Sequence, residues 1–106
     1  MEVGETLSAA VTREVRQETG YEVEPRRLVG VYSDPHDSIM HYPDDNVVQA
    51  VSCVFECGIT GGEPRVSGES IGLDWFDPDD LPANLVPAHR TRVADACVHQ
   101  AAAFFR

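Results

Sequence analysis

The chain is short of positive charge. Eight Lys and Arg stand against 18 Asp and Glu in 106 residues, a formal net charge of −10 at pH 7. Duplex DNA and anionic membrane both call for a basic footprint, so neither is an expected partner. No apolar run approaches the roughly 20 residues that cross a bilayer. Cysteine is scarce and odd in number, three in all, and no signal peptide is expected ahead of it. A reducing cytoplasm is therefore the expected setting. Cys53 and Cys57 alternate within an apolar run, where a free thiol acts as a small hydrophobe rather than a metal ligand or half of a disulfide. Repeats and low-complexity segments are also lacking. An apolar fraction of 42% and a charged fraction of 25% are ordinary for a globular chain. The length suits one small domain over residues 1–106.

Acidic residues are abundant, and those near the start are ordered. Glu14 and Glu18 lie one helical turn apart, so their carboxylates share a face. At about 100° per residue, Leu7, Ala10, Val11 and Val15 define an apolar stripe. On that wheel Glu14 and Glu18 fall inside the stripe, while Thr12, Arg13 and Arg16 fall outside. Carboxylates on a buried face are costly unless something positive meets them. A bound divalent cation is the simplest solution, because hard cations take carboxylate oxygens.

Glu5, seven residues, then Arg13-Glu14-Val15-Arg16-Gln17-Glu18-Thr19-Gly20-Tyr21 resembles the signature box of the Nudix hydrolases. That box is a Gly, five residues, a Glu, seven residues, then Arg-Glu-aliphatic-any-Glu-Glu-any-Gly-aliphatic. Two positions depart from it. The opening Gly would precede Met1, and Gln17 stands where the family has the first of two paired glutamates. A Gln carbonyl can ligate a cation but carries no charge and cannot act as a base. Val29 to Pro35, the apolar run from Val47, and Trp75-Phe76-Asp77-Pro78-Asp79-Asp80-Leu81-Pro82 also resemble later parts of such a domain.

The resemblance implies an α/β fold, a Nudix-like α/β/α sandwich with a mixed sheet, here lacking the N-terminal strand or strands. The open edge left behind fits a shortened fragment, a misplaced start, or a homodimer that recovers the edge by pairing. Locally, the sequence predicts a first helix over Thr6 to Thr19, stopped by Gly20. A strand is expected at Arg27 to Tyr32, then a long polar loop from Ser33 to Asn46 containing His36 and His41. Val47 to Cys57 is apolar on both alternating faces and predicts a central strand covered on both sides. Gly58 to Gly68 predicts a turn-rich link, and Ile71 to Phe76 a short strand. Asp77 to Asp80 looks like the cap and first turn of a short helix. Ala88 to Phe105 is expected to be one closing helix.

What the resemblance implies about chemistry is a hydrolase acting on a nucleoside diphosphate linked to another moiety, an ADP-ribose or nucleotide sugar. The rival is a non-catalytic domain of the same fold that binds a nucleotide or a protein. Glu14 and Glu18 would hold Mg2+, with Mn2+ a substitute, and Glu5, Gln17 and the Gly4 carbonyl are further candidate ligands. Arg13 matches the box Arg that orients a neighbouring carboxylate. Glu69, six residues before Trp75, is the candidate distal base. The partner would be a nucleotide-derived small molecule.

Overall fold

The computed structural model describes residues 1–65 and 73–106. Its contacts divide the chain into two compact units, Met1–Arg27 with Glu56–Trp75, and Leu28–Phe55 with Phe76–Arg106.

The first unit is organised by helix α1, Leu7–Thr19. Thr6 caps its start, with Oγ1 accepting from the Ala9 amide at 3.1 Å, and so satisfies one of the amides that a helix start leaves unpaired. Gly20 ends it at φ 81°, its N–H donating to the Arg16 carbonyl at 2.9 Å. Only glycine suits this position, since a Cβ would also collide with the Glu63 carbonyl.

Strand β1, Tyr21–Tyr32, follows at once, six residues earlier than the sequence pattern suggested. From Tyr21 to Val29 its odd-numbered side chains turn inward and its even-numbered ones outward, the period of a half-covered strand. Pro25 hides this start from a propensity reading. It is tolerated because β5 reaches β1 only beside Gly30 and Val31, so the strand at Pro25 has one paired neighbour among the described residues.

The main sheet has the order β4-β1-β5, where β4 is Ser52–Gly62 and β5 is Phe104–Phe105. β5 runs parallel to β1, Gly30 opposite Phe104 and Val31 opposite Phe105. β4 runs antiparallel to β1: Arg27 reaches Glu56 at 3.0 Å, and Thr60 donates to the Glu22 carbonyl at 3.3 Å. The sheet is therefore mixed, as expected. Among the described residues, Ala10 and Val23 are the buried apolar residues of the first unit, and Val29 and Tyr32 those of the second.

In the second unit the expected loop is structured. Pro35–Ser38 forms one helical turn, α2, capped by Asp34, whose Oδ1 accepts from the His36 amide at 2.9 Å. Ile39–His41 (β2) then pairs antiparallel with Val47–Gln49 (β3), Met40 facing Val48. The turn between them closes through Tyr42 N–H to the Asn46 carbonyl at 2.9 Å, with Asp45 left-handed at φ 68°.

The run from Val47 is thus two strands rather than one. Neither is buried on both faces: β3 is exposed and β4 largely half-buried. β1, not β4, is central in the described sheet. β4 also continues through Gly62, into the segment expected to be a turn-rich link. Leu73 to Phe76 is irregular, and Ile71 and Gly72 lie outside the described residues. Asp77 does cap, taking the Asp79 amide at 2.9 Å, but it closes a turn rather than opening a helix.

The closing helix α3 covers only Pro87–Val98. It stops at His99, which is left-handed at φ 56°. Local propensity would carry the helix through Ala101 to Ala103, but pairing with β1 wins. The Arg106 amide donates to the Val31 carbonyl at 2.9 Å, and the Ser33 amide to the Arg106 carbonyl at 2.8 Å. Phe104 therefore lies in a strand and not on a helical face. Cys97 is exposed. Cys53 and Cys57 are free and half-buried, as their alternation suggested.

Candidate functional site

Gly4, at φ 90°, lets the chain turn sharply ahead of α1. The Glu5 amide donates to the Glu2 carbonyl at 3.2 Å, and the Glu2 amide returns a bond to Glu5 Oε1 at 2.8 Å. This turn delivers Glu5 to Arg13, which lies two helical turns further on. The guanidinium grips it with both prongs, Nε to Oε2 at 2.7 Å and Nη2 to Oε1 at 3.0 Å. Fork-to-fork pairing of this kind fixes orientation as well as charge. Arg13 and the Glu2 amide together hold the Glu5 carboxyl down at a pKa of about 2. Arg13 Nη1 also donates to Gln17 Oε1 at 3.1 Å, one turn along the helix. Arg13 thus stands at the centre of a fork joining Glu5 and Gln17.

Glu14 and Glu18 sit otherwise than the helical wheel suggested. Both are exposed, the Glu14 side chain by 49%. Leu7, at the head of the same row, is exposed as well. On one flank lie the buried Ala10 and half-buried Arg13, on the other the half-buried Val11, Val15 and Thr19. Thr12 and Arg13, placed outside the stripe by the wheel, are half-buried, because Thr12 Oγ1 bonds the Val23 carbonyl and Arg13 is engaged by Glu5. The apolar stripe therefore wraps around the glutamates without covering them.

Two positive groups approach Glu14, the Met1 ammonium at 3.3 Å and Arg13 Nη2 at 3.7 Å. Glu18 has no ion pair or hydrogen bond among the described residues. Among those residues no group of three or more His, Cys, Asp or Glu is gathered to hold a metal. The donors fit a hard cation that keeps most of its water, which is how Mg2+ usually binds one or two carboxylates. Glu5 is already engaged by Arg13, and Gln17 presents its oxygen to the same guanidinium. Glu69 lies outside the described residues.

A second constellation was not foreseen. Asp95 on α3 is 4% exposed and ionised. It accepts from Tyr32 Oη at 2.9 Å, and from Arg106 Nε at 2.7 Å and Nη2 at 3.0 Å. The Arg106 bonds, then that of Tyr32, hold its pKa below the usual carboxylate value. Burial, and then the bond to Asp95, push the Tyr32 phenol up to about 12. Arg92 lies 5.1 Å from the centre of the Tyr32 ring. The signal in the sequence was a lone Asp between Ala94 and Ala96, where a helix would otherwise present small apolar groups.

A mixed sheet and a helix carrying one-turn-spaced glutamates behind an Arg-held carboxylate define the class of protein. The chain belongs to the Nudix hydrolase family: the NUDIX domain model matches residues 1–96. It is 34% identical over 96 residues to a MutT-like protein of Streptomyces ambofaciens, covering 91% of this chain and 55% of that one. An ADP-ribose pyrophosphatase of Methanocaldococcus jannaschii is 35% identical over 82 residues, 77% of this chain and 44% of that one. Among solved structures, a UDP-X diphosphatase superposes with a TM-score of 0.74 at 20% identity, over 98% of this chain and 50% of that one. The chain thus spans about half the length of the curated relatives it matches.

Proposed function

We propose that this chain carries the catalytic face of a pyrophosphohydrolase that cleaves the phosphoanhydride bond of a nucleoside diphosphate linked to another moiety, ADP-ribose being the leading substrate. The observation that carries this reading is the exposed Glu14–Glu18 row beside a carboxylate held by Arg13. Likeness to an ADP-ribose pyrophosphatase supports the choice of substrate.

Hydrolases of this family in general need a divalent metal; the proposal is Mg2+, with Mn2+ able to replace it. Glu14 and Glu18 would hold it, with the Gly4 carbonyl and Gln17 Oε1 within the same segment of chain. Bound there, it would screen the pyrophosphate oxygens and lower the pKa of a water. Arg13 positions Glu5 and keeps it ionised at any physiological pH, so that one carboxylate beside the site never competes for the proton released. Glu69 or a helix glutamate left outside the metal shell would take that proton as general base. Glu18 has no ion pair among the described residues, so its charge is left for a cation, and a polyphosphate is approached only once the carboxylates are neutralised. The free cysteines support a cytoplasmic setting.

Binding without turnover is the second reading, favoured by Gln17, whose neutral amide is bonded to Arg13. The test is calorimetric titration with Mg2+ and Mn2+, followed by release of AMP and ribose 5-phosphate from ADP-ribose, and of UMP and sugar phosphate from UDP-sugars. Metal-dependent release supports hydrolysis. Metal and nucleotide binding without release would establish the second reading, and no metal binding would refute both.

A further inference from the structure

In the second unit, a cavity of about 390 Å³ opens between α2, α3 and the end of the chain. Its lining includes two carboxylates, Asp34 and Asp37, and two guanidiniums, Arg92 and Arg106, together with Phe105. None of these acids pairs with either of these arginines. Arg106 is committed to Asp95, and Arg92 lies over the Tyr32 ring. Asp34 spends one oxygen on the His36 amide, and Asp37 spends none among the described residues. The lining therefore offers both unused acceptors and unused N–H donors. With Asp95 counted, three carboxylates meet two guanidiniums, so the local charge is −1 and a free anion is disfavoured.

We propose that this cavity binds a neutral polyhydroxylated ring, a pentose or hexose. Sugar hydroxyls are both donors and acceptors. Adjacent hydroxyls can give two bonds to the planar Asp37 carboxylate and accept one from Arg92, each charge-assisted and so stronger than a neutral pair. A neutral ligand sheds its own water at less cost than an ion would. Phe105, 86% exposed, offers an apolar surface to the C–H face of the ring. The volume is near the small end of ligand clefts, roughly 300–1,000 Å³, which suits one ring rather than a dinucleotide. The backbone around it is fixed: the Arg106 carbonyl accepts from the Ser33 and Asp34 amides at 2.8 and 3.2 Å.

The test is an NMR titration of the isotope-labelled chain with D-glucose and D-ribose, without metal and without turnover. Sugar binding is thereby judged apart from the hydrolase reading, and either can fail alone. Saturable shifts are expected at the amides of Tyr32 to Ser38, Ala88 to Arg92 and Phe105, with a Kd of about 1–10 mM. Asp37→Asn and Arg92→Gln should each raise that Kd at least about tenfold, the loss of one charge-assisted bond. Asp37 is exposed, so its variant should fold even if the Arg92 variant does not. No saturation up to about 0.1 M sugar, an unchanged Kd in Asp37→Asn, or saturation by zwitterionic L-alanine in place of the sugars would each overturn the proposal.

Discussion

Replacing Glu18 by Gln separates a functional carboxylate from a structural one. Glu18 is exposed and unbonded among the described residues, so the fold should lose no more than about 0.5 kcal/mol, the usual limit for such surface changes. Cation affinity should behave otherwise. Coulomb's law for a divalent ion about 4 Å from one carboxylate gives roughly 2 kcal/mol even at the dielectric of water. That is a factor of about 30 in Kd, and more if the site excludes water. No neighbouring acid can compensate, since Glu5 is held by Arg13 and position 17 is already an amide. Isothermal titration with Mn2+ or Mg2+, paired with a thermal melt, reads both quantities on one preparation. The expected result is an unshifted melting temperature with Kd raised at least tenfold and turnover falling alongside. Unchanged affinity would refute the assignment of Glu18 to the cation. Equal losses of affinity and stability would show that the residue holds the helix rather than the metal.

Gln17→Glu should strengthen cation binding and leave the melting temperature level or slightly raised, because Arg13 Nη1, 3.1 Å from the present amide oxygen, would meet the new charge; a lower melting temperature would contradict that geometry. Tyr32→Phe should cost about 1.5–3 kcal/mol, the range for a hydrogen bond to a charged group, measured by urea unfolding at neutral pH. Its pH dependence has a defined sign. The phenol's folded pKa is raised from 10 to about 12, so its contribution is complete below pH 10 and fades as pH climbs to 12. The wild type should lose more stability over that interval than the Phe variant, since the burial-raised Cys57 thiol contributes alike to both. Asp95 works in the opposite direction: its lowered pKa contributes in full above the ordinary value of 3.8 and is lost as pH falls below it, which Asp95→Asn should abolish. Gly20→Ala should lower the melting temperature by several degrees or prevent folding, since a left-handed residue costs about 1–2 kcal/mol before the clash with the Glu63 carbonyl; an unaffected melt would mean that the helix end rearranges freely.

Whatever depends on short separations along the chain was legible beforehand. The helix beginning about Thr6, the Gly20 stop and the one-turn spacing of Glu14 and Glu18 are all set within about 20 residues by helix geometry and backbone sterics. The same wheel misjudged which face was covered. Burial depends on what packs against a helix, and Thr12 was drawn inward by the Val23 carbonyl while the glutamates stayed in solvent. Strand limits failed for a related reason. Pro25 argues against a strand until one knows that β5 pairs only at Gly30 and Val31, and an apolar run argues for one central strand until Ala50 and Val51 break it beside a separate hairpin.

The end of the chain shows the division most clearly. Local propensity there favours helix through the alanines. The observed β5 depends on backbone bonds to Val31 and Ser33, and on Arg106 reaching Asp95 while Tyr32 does the same from 63 residues away. The sequence alone determined the motif helix and the carboxylates it carries, because those follow from neighbours a turn apart. Only the tertiary structure decided that Glu5 belongs to Arg13, that the glutamates face water, and that a buried Asp95 ties strand, helix and terminus into one charged network. Those outcomes rest on which groups pack together in the folded chain, and Asp95 is the strongest case, since a carboxylate buried without Arg106 and Tyr32 would carry an uncompensated desolvation cost.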